Sequence, residues 1–313
     1  MASNELVLLS GNAHPELAEA VANALEIERL DATIGSFPDE ETSVQLDGTV
    51  RGQDVFILQP TGPPANHNVM ELLILSDALR RASAARITAV IPYYGYARQD
   101  RKDRSRAPIT GKLVTDMYQT AGVNRLLAVD LHAAQIQGFT NIPFDHLYAA
   151  RTITNGLCEE IERPVVVAPD VGAGKMADDY ARLLGTPDIA IIIKERLDGR
   201  RTRVTGMIGA SVMGRTALLV DDIVSTGGSL LNAAKALKRQ GAESVVAAAT
   251  HGVLCGSAIE QVASSLYLDR LYVTDSLPAR THTEKIRRIT IAPLLAAAVR
   301  NIHNGESVSS LFS

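Results

Sequence analysis

Two adjacent carboxylates, Asp221 and Asp222, follow an apolar run and precede a short polar loop. The loop combines three hydroxyl side chains with two glycines: Ser225, Thr226, Gly227, Gly228 and Ser229. Glycines let a backbone wrap closely around an anion, and the N–H groups at the start of a following helix favour negative charge. Carboxylates disfavour phosphate, but their oxygens accept hydrogen bonds from sugar hydroxyls. The pattern therefore predicts a site for a phosphorylated sugar; an ordinary loop whose Ser229 caps a helix is the alternative.

A second segment, Pro92–Arg106, joins aromatic and basic residues directly after another apolar run. Three tyrosines and a glycine precede five basic side chains: Arg98, Arg101, Lys102, Arg104 and Arg106. Arg and Lys suit a polyphosphate, and aromatic or guanidinium planes suit a base. A solvated surface loop is the alternative, as for most runs of charge.

Two further candidates, His132 and Asp170, also follow apolar runs. Asp170 leads into a glycine-rich turn that is suited to phosphate, made of Gly172, Ala173, Gly174 and Lys175. His132 and Asp170 could share one Mg²⁺, because Mg²⁺ keeps several waters and takes one or two protein ligands plus substrate phosphates. A lone histidine is, however, more often a structural residue than a ligand.

Two cations, Lys194 and Arg196, close an isoleucine-rich run and lead into a charged, glycine-containing segment that reaches Arg203. This segment is either an exposed hairpin or a mobile arm that carries cations over an active site.

Short aliphatic runs precede these segments and predict strands that are buried on both faces of a parallel sheet. The runs are Leu6–Leu9, Val55–Leu58, Ile87–Ile91, Leu126–Val129, Val165–Ala168, Ile189–Ile193, Leu218–Val220, Val245–Ala249 and Leu271–Val273. Helical patterns lie between them at Pro15–Ile27, Met70–Arg81, Pro108–Ala121 and Ser229–Arg239, the last closed by Gly241. Alternating strands and helices indicate an α/β fold, in which ligands bind at the carboxyl ends of the strands. A strand that ends in a carboxylate occurs twice, so we expect two similar halves with a boundary near residues 146–164.

Composition narrows the class of protein. The 313 residues allow one or two domains, and the net charge of -4 argues against a nucleic-acid-binding protein. Cys158 and Cys255 are far apart, which excludes a disulfide framework and suits a reducing compartment. Met1–Glu5 has neither the basic start nor the apolar run of a secretory signal, and no run is long enough to span a bilayer. We therefore expect a cytoplasmic protein that binds neither nucleic acid nor membrane.

Longer motifs show a resemblance that runs almost end to end. They are Phe37–Glu41, Met70–Ile74, Pro92–Lys102, Ser105–Ile109, Asp130–Phe139 and Ser307–Phe312. In these segments the chain resembles the ribose-phosphate pyrophosphokinases, also called phosphoribosyl pyrophosphate synthases, of the phosphate-dependent class. The motif at Asp130–His132 is highly specific, whereas the Asp221–Asp222 loop is shared with phosphoribosyltransferases.

The resemblance implies an α/β fold of two similar phosphoribosyltransferase-type domains, each a mostly parallel sheet flanked by helices. The domains would cover residues 1–146 and 147–299, and a tail at about 300–313 would pack on the first. The implied activity is Mg²⁺-dependent transfer of pyrophosphate from ATP to the anomeric hydroxyl of ribose 5-phosphate. The products would be 5-phosphoribosyl 1-pyrophosphate and AMP, for nucleotide biosynthesis.

The same resemblance assigns roles to the candidate residues. The ATP site would comprise Phe37, Asp39, Glu41, Arg98, Gln99, Asp103 and His132, the first three partly serving a neighbouring subunit. His132 and Asp170 would organise Mg²⁺. Ribose 5-phosphate would bind Asp221, Asp222 and Ser225–Ser229, and Gly172–Lys175 would be the pyrophosphate loop. Lys194 and Arg196 would be catalytic.

Regulation is also implied, because this class forms hexamers that phosphate activates and ADP inhibits at a site between subunits. Ser307, Ser309 and Phe312 resemble part of that site, and Arg51 and Ser83 are further candidates. A tail without a regulatory role is the alternative.

Two positions depart from the family pattern. Ser225 stands where Asp is common, and Met176 stands where Arg is common in the pyrophosphate loop. A methionine cannot supply the charge of an arginine, so these changes affect the expected substrate affinity rather than the expected reaction.

Two other functions share parts of the pattern. A nucleobase phosphoribosyltransferase would use the Asp221–Asp222 loop, but it would not need Arg98–Lys102 or Phe37–Glu41 and would usually have one domain. A non-catalytic regulatory relative would keep the fold and lose the activity, which the retained candidate residues argue against.

Overall fold

The computed structural model describes residues 5–157, 160–196 and 202–311, and at 195, 196 and 202–204 it describes the backbone alone. In chain order the strands are β1 (Leu6–Ser10), β2 (Ala32–Ser36), β3 (Thr42–Leu46), β4 (Asp54–Leu58), β5 (Arg86–Ile91), β6 (Arg125–Val129), β7 (Phe144–Leu147), β8 (Val165–Ala168), β9 (Ile189–Arg196), β10 (Thr202–Gly209), β11 (Thr216–Val224), β12 (Ser244–Gly252), β13 (Arg270–Thr274) and β14 (Ile286–Ile289). The α-helices are α1 (Pro15–Leu25), α2 (Ala65–Arg81), α3 (Thr110–Ala121), α4 (Ala150–Leu157), α5 (Gly174–Leu183), α6 (Gly228–Arg239), α7 (Ala258–Ser264) and α8 (Ala292–Asn304). No helix in these described ranges is long and apolar enough to cross a bilayer.

The first of two compact units contains the described residues up to Tyr148, Ser276–Pro278 and the described residues from Ile291 onward. Its main sheet has five parallel strands in the order β1-β4-β5-β6-β7. All five residues of β4 are buried, which includes the four of the apolar run Val55–Leu58. Helices α2 and α3 bury Leu72, Leu75 and Val114 against this sheet. A separate antiparallel hairpin is formed by β2 and β3.

The second unit contains the described residues of Ala149–Asp275 together with Ala279–Thr290. Its seven-stranded sheet has the order β10-β9-β8-β11-β12-β13-β14. All neighbours are parallel except β9 and β10, which form an antiparallel hairpin. Helix α6 buries Leu230, Ala233 and Leu237 against the aliphatic side chains of this sheet. The predicted α/β class, with mostly parallel sheets flanked by helices, is confirmed.

Helix α8 lies with the first unit, although the sequence-based bounds placed residues up to 299 in the second domain. Its buried side chains include Leu295, Val299 and Ile302, and the helix packs on α1. Arg300 adds a hydrogen bond from its guanidinium to the backbone oxygen of Ala24, at 3.1 Å. The apolar face of α8 therefore decides where the C-terminal part of the chain packs.

Helix boundaries follow local chemistry. Helix α1 begins at Pro15, and the Nδ1 atom of His14 accepts a hydrogen bond from the backbone N–H of Leu17 at 3.3 Å. Helix α6 is followed by Gly241, whose φ of +86° suits glycine. Helix α2 begins five residues before the predicted Met70, because its first turn is polar and lacks an apolar period.

Candidate active site

The acidic pair lies inside strand β11, not after it as the sequence suggested. Asp221 is paired with Ala249 of β12, and the strand continues to Val224. Both carboxylates are thus on one strand, and the backbone N–H of Asp222 donates to Oδ1 of Asp221 at 3.0 Å. The pair is thus held near the carboxyl end of a central strand, where α/β sheets bind ligands.

Burial raises the pKa of Asp221 to about 7, and the neighbouring charges of Asp222 and Asp170 add to the effect. Three carboxylates from β11 and from the segment after β8 therefore lie close enough to repel one another. Ligand hydroxyls or a cation would relieve this repulsion, because both stabilise ionised carboxylates.

The polar loop leads into α6 through a left-handed glycine. Gly227 has φ of +77° and ψ of -16°, and α6 begins at Gly228. Ser229 therefore lies in the first turn, and the predicted Ser229 cap is wrong because Gly227 holds the cap position. No side chain among the described residues caps this helix, so its first N–H groups have no side-chain partner there.

Space for a ligand exists beside Gly228. A Cβ atom added there would meet no atom within 4 Å, whereas one added at Gly227 would meet Ala258 at ordinary contact distance. Gly228 is therefore open on its Cβ side, and Gly227 is required for its backbone angle.

Asp170 holds the turn that follows it. Its Oδ1 atom accepts hydrogen bonds from the backbone N–H groups of Gly172, at 3.0 Å, and Ala173, at 3.3 Å. Two N–H groups that the sequence assigned to a phosphate are thus already bonded to a carboxylate. Gly174 begins α5, and the side chain of Lys175 is exposed in its first turn.

The two predicted catalytic cations lie on β9, next to β8 in the sheet. The Nζ atom of Lys194 donates a hydrogen bond to Oγ of Ser229 at 2.9 Å, so the structure brings a catalytic candidate to Ser225–Ser229, the predicted sugar-phosphate loop. The side chain of Arg196 and residues 197–201 lie outside the described part of the chain.

Tyr94 and Gly95 hold the Pro92–Arg106 segment in place in the first unit. Tyr94 is buried, and its hydroxyl hydrogen-bonds that of Thr115 at 2.7 Å. A Cβ atom at Gly95 would lie 2.2 Å from the backbone oxygen of Thr61, so only glycine fits. Burial raises the pKa of Tyr94 well above its usual value, so its hydroxyl does not ionise at neutral pH and cannot serve as a general acid or base. Tyr94 and Gly95 therefore fix the loop, and the buried ring of Tyr94 offers no face to a nucleobase.

The polar side chains of this loop contact the start of α3 and the segment after β6. Gln99 accepts a hydrogen bond from the Thr110 hydroxyl at 2.6 Å, and Asp100 accepts one from Gln135 at 2.6 Å. The side chains of Arg98 and Asp103 are exposed. The structure therefore joins the basic loop to the segment that carries His132, three residues before Gln135.

His132 lies two residues after a strained position, Asp130, whose φ is +37°. The backbone N–H of Leu131 donates to Nε2 of His146, which is buried, at 2.8 Å. His132 itself is exposed. The sequence did not point to His146. The residues around it do not distinguish a buried histidine that accepts a backbone hydrogen bond from one on the surface.

The turn between β2 and β3 carries the other predicted ATP residues. Phe37 is 55% exposed, and its backbone N–H donates to the oxygen of Glu41 at 2.8 Å. The N–H of Glu41 also donates to Oδ1 of Asp39 at 3.4 Å. A tight hairpin turn thus presents an aromatic ring to solvent.

The predicted regulatory serines lie near the end of α8. Asn301 donates from its side chain to the backbone oxygen of Ser307 at 2.8 Å, and Ser309 donates from its N–H to Oγ of Ser307 at 3.2 Å. Phe312 lies outside the described residues. Gly52, next to Arg51, donates from its N–H to the backbone oxygen of Ser83 at 2.9 Å.

Across the described ranges, no group of three or more His, Cys, Asp or Glu side chains forms a metal site. A Mg²⁺ ion held by one or two side chains and by substrate phosphates would not need such a cluster.

Comparison with known proteins identifies the family. Residues 6–122 match the model of the N-terminal domain of ribose phosphate pyrophosphokinase, and residues 199–313 match that of the phosphoribosyl synthetase-associated domain. The chain is 48% identical to a ribose-phosphate pyrophosphokinase of Marinomonas sp. over 99% of both chains. This chain belongs to the ribose-phosphate pyrophosphokinase family.

Two further matches indicate the same family. A ribose-phosphate pyrophosphokinase of Neisseria meningitidis is 49% identical over all of this chain and 96% of its own. The crystal structure of phosphoribosylpyrophosphate synthetase from Mycobacterium smegmatis matches with a TM-score of 0.89 and 41% identity, over 96% of this chain and 99% of that one. The predicted family is confirmed.

Proposed function

We propose that this chain transfers the pyrophosphoryl group of ATP to the anomeric hydroxyl of ribose 5-phosphate in a Mg²⁺-dependent reaction. The products are 5-phosphoribosyl 1-pyrophosphate and AMP, which serve nucleotide biosynthesis. The observation that carries the proposal is the carboxylate pair of Asp221 and Asp222 on the strand that leads to the uncapped first turn of α6.

The proposed binding of ribose 5-phosphate follows from the charges at Asp221, Asp222 and the start of α6. The Asp221 and Asp222 oxygens accept hydrogen bonds from the ribose hydroxyls, and the N–H groups of α6 bind the 5-phosphate. Ser225 and Thr226 supply further hydroxyl donors beside the loop. This arrangement holds the pentose by both ends and so fixes its anomeric hydroxyl in one place, which lowers the entropic part of the barrier.

The nucleotide side uses the exposed groups of the first unit. Phe37 stacks on adenine, Asp39 and Glu41 bind near it, and Arg98 binds the polyphosphate. Gln99, Asp103 and His132 complete the site. The anchoring of Gly95 on Thr61 supports the proposal, because it keeps the basic side chains exposed while their loop stays in place.

In the reaction, the anomeric oxygen forms a bond to the β-phosphorus of ATP. The bond from that phosphorus to the oxygen shared with the α-phosphate breaks, AMP leaves, and the hydroxyl proton is released to solvent. Lys194 and Arg196 neutralise charge that develops on the transferred group. Such transfers depend mainly on in-line positioning and charge neutralisation.

Mg²⁺ fits the donors that are present. Asp170 uses Oδ1 for its own turn, and no hydrogen bond within the described residues involves its Oδ2, while the His132 ring is exposed. Each of these two side chains therefore has an atom that would serve as a donor to Mg²⁺, which would neutralise phosphate charge when bound.

We extend the proposal to assembly and regulation. The chain works in the cytoplasm as a hexamer built from dimers, activated by phosphate and inhibited by ADP at a site that includes Ser307, Ser309 and Phe312. The exposed ring of Phe37 supports a role toward a neighbouring subunit. A rate that stays flat during a phosphate titration would count against this regulation.

Product analysis tests the activity. The protein is incubated with ATP, Mg²⁺ and ribose 5-phosphate, and the nucleotides and sugar phosphates are separated and quantified. We expect equal amounts of AMP and 5-phosphoribosyl 1-pyrophosphate, and no AMP when ribose 5-phosphate is left out. Absence of AMP would favour a non-catalytic relative, and nucleobase-dependent consumption of 5-phosphoribosyl 1-pyrophosphate without AMP formation would favour a phosphoribosyltransferase.

A further inference from the structure

We propose that Ser229 is a positioning residue for Lys194, which its hydroxyl holds beside the sugar-phosphate loop. This inference rests on the proposed function, in which Lys194 is catalytic. The contact that carries it is the 2.9 Å hydrogen bond from Nζ of Lys194 to Oγ of Ser229, between β9 and the first turn of α6. The two residues are 35 positions apart, so the fold alone brings them together.

A second observation concerns the backbone at Lys194. In the β9–β10 hairpin, Lys194 is opposite Val204 and Ile193 is opposite Gly206, so Thr205 is an extra residue in the ladder. The Thr205 hydroxyl donates to the backbone oxygen of Ile193 at 3.2 Å. Such bulges bend a strand and redirect its side chains, and they occur often beside active sites. The bulge therefore gives the strand an irregular direction at the residue whose side chain reaches α6.

Ser229 lies on a helix that is packed against the core of the second unit. Leu230 and Ala233 of α6 are buried in the core of the second unit, and Gly227 sets the angle at which the helix begins. A lysine side chain has many rotamers in solution, so a fixed acceptor on a packed helix restricts it to a small region. Ser229 supplies that acceptor.

The Ser229 hydroxyl can contact Lys194 and the substrate together. A serine hydroxyl can accept one hydrogen bond and donate another at the same time. Ser229 can thus accept from Lys194 while it donates to a 5-phosphate bound at the start of α6. The position of the catalytic ammonium then depends on the loop that recognises the sugar phosphate, and loss of the hydroxyl lowers kcat as well as affinity.

A double-mutant cycle tests this inference with Ser229→Ala, Lys194→Ala and the combined variant. With both substrates saturating, we expect Ser229→Ala to lower kcat about five- to tenfold, the size of a typical net hydrogen bond at an exposed site. In the Lys194→Ala background, the same change lowers kcat less than about twofold. Ser229→Thr keeps the hydroxyl and restores most of the kcat. The inference is overturned if Ser229→Ala changes KM alone, or if its effect on kcat is undiminished without Lys194.

Ser225→Ala is the matched control, because it removes a hydroxyl from the same loop. Within the described residues, no hydrogen bond joins Ser225 to Lys194. We expect Ser225→Ala to change KM for ribose 5-phosphate by the same factor in both backgrounds. A dependence of that factor on Lys194 equal to the one at Ser229 would also overturn the inference.

Chemical labelling gives a readout that needs no turnover. The ligand-free protein is treated with an amine-acetylating reagent, and the labelling rate of Lys194 is followed by peptide mass spectrometry. We expect Lys194 to react about threefold faster in Ser229→Ala and at the original rate in Ser225→Ala, since one hydrogen bond is lost only in the former. Equal rates in both variants would overturn the inference. A protein that makes no AMP would instead refute the proposed function, and the labelling result would still stand.

Discussion

Replacing the two glycines of the sugar-phosphate loop one at a time separates the backbone requirement of the loop from its role in ligand binding. Gly227 has φ of +77°, and alanine in this left-handed region costs about 1–2 kcal/mol. The added Cβ would meet Ala258 no closer than 3.8 Å, so the cost is torsional and not steric. Gly228 has no such angle and has open space beside it, so alanine there does not strain the free protein.

The two variants should therefore show opposite behaviour. Gly227→Ala should lower the melting temperature by about 2–8 °C, because each kcal/mol corresponds to about 2–4 °C in a unit of this size. Gly228→Ala should keep or slightly raise it, since alanine is the better helix former. Gly228→Ala should instead raise KM for ribose 5-phosphate roughly tenfold or more, because its methyl group enters the space that the phosphate needs.

Scanning calorimetry and initial-rate kinetics on the same preparations provide the measurements. Gly185→Ala serves as a control, because Gly185 also has a left-handed angle, φ of +64°, but lies after α5 and away from the loop residues. It should lower the melting temperature without changing KM. A wild-type KM in Gly228→Ala would refute the placement of the phosphate, and an unchanged melting temperature in Gly227→Ala would refute the torsional reasoning.

Three further predictions concern charge and close packing. The folded chain keeps the Asp221 proton up to a pH of about 7, whereas the unfolded chain releases it near its ordinary pKa of about 3.9, so stability falls as pH rises between these values. Asp221→Asn should therefore raise the melting temperature more at pH 8 than at pH 5; equal shifts would contradict the assigned pKa. Gly95→Ala would place a Cβ 2.2 Å from the Thr61 oxygen, so we expect a lower melting temperature and a higher KM for ATP; a variant with native values for both would show that the loop is not held there. Lys194→Ala should lower kcat about a hundredfold, as for other lost transition-state donors, with product formation followed by chromatography; normal turnover would remove Lys194 from the mechanism.

The aliphatic runs predicted the strands well because strands buried on both faces, such as β4 and β8, need unbroken apolar sequence. The strands that no aliphatic run predicted, such as β14 and β7, have less apolar sequences. Strand β14 has the sequence Ile-Arg-Arg-Ile and lies at a sheet edge, and only Leu147 and His146 are buried in β7. Short, half-exposed strands depend on tertiary pairing, which a single sequence does not encode locally.

The sequence indicates a candidate site where the residues that form it are consecutive in the chain. The acidic pair and the glycine loop could be proposed as a site because their chemistry is contained in nine consecutive residues, Asp221–Ser229. Contacts across the fold could not be identified. The bond from Lys194 to Ser229 and the support of Leu131 by His146 join distant positions. The tyrosine before Gly95 suggested base stacking, but its ring is buried in the core.

A crystal structure with ribose 5-phosphate bound tests the central claim most directly, since the claim concerns how one sugar phosphate is held. We predict that the ribose hydroxyls lie within hydrogen-bond distance of Asp221 and Asp222 and that the 5-phosphate accepts from the first N–H groups of α6. A pentose bound elsewhere, with the two carboxylates free of it and the start of α6 unoccupied by phosphate, would contradict the account.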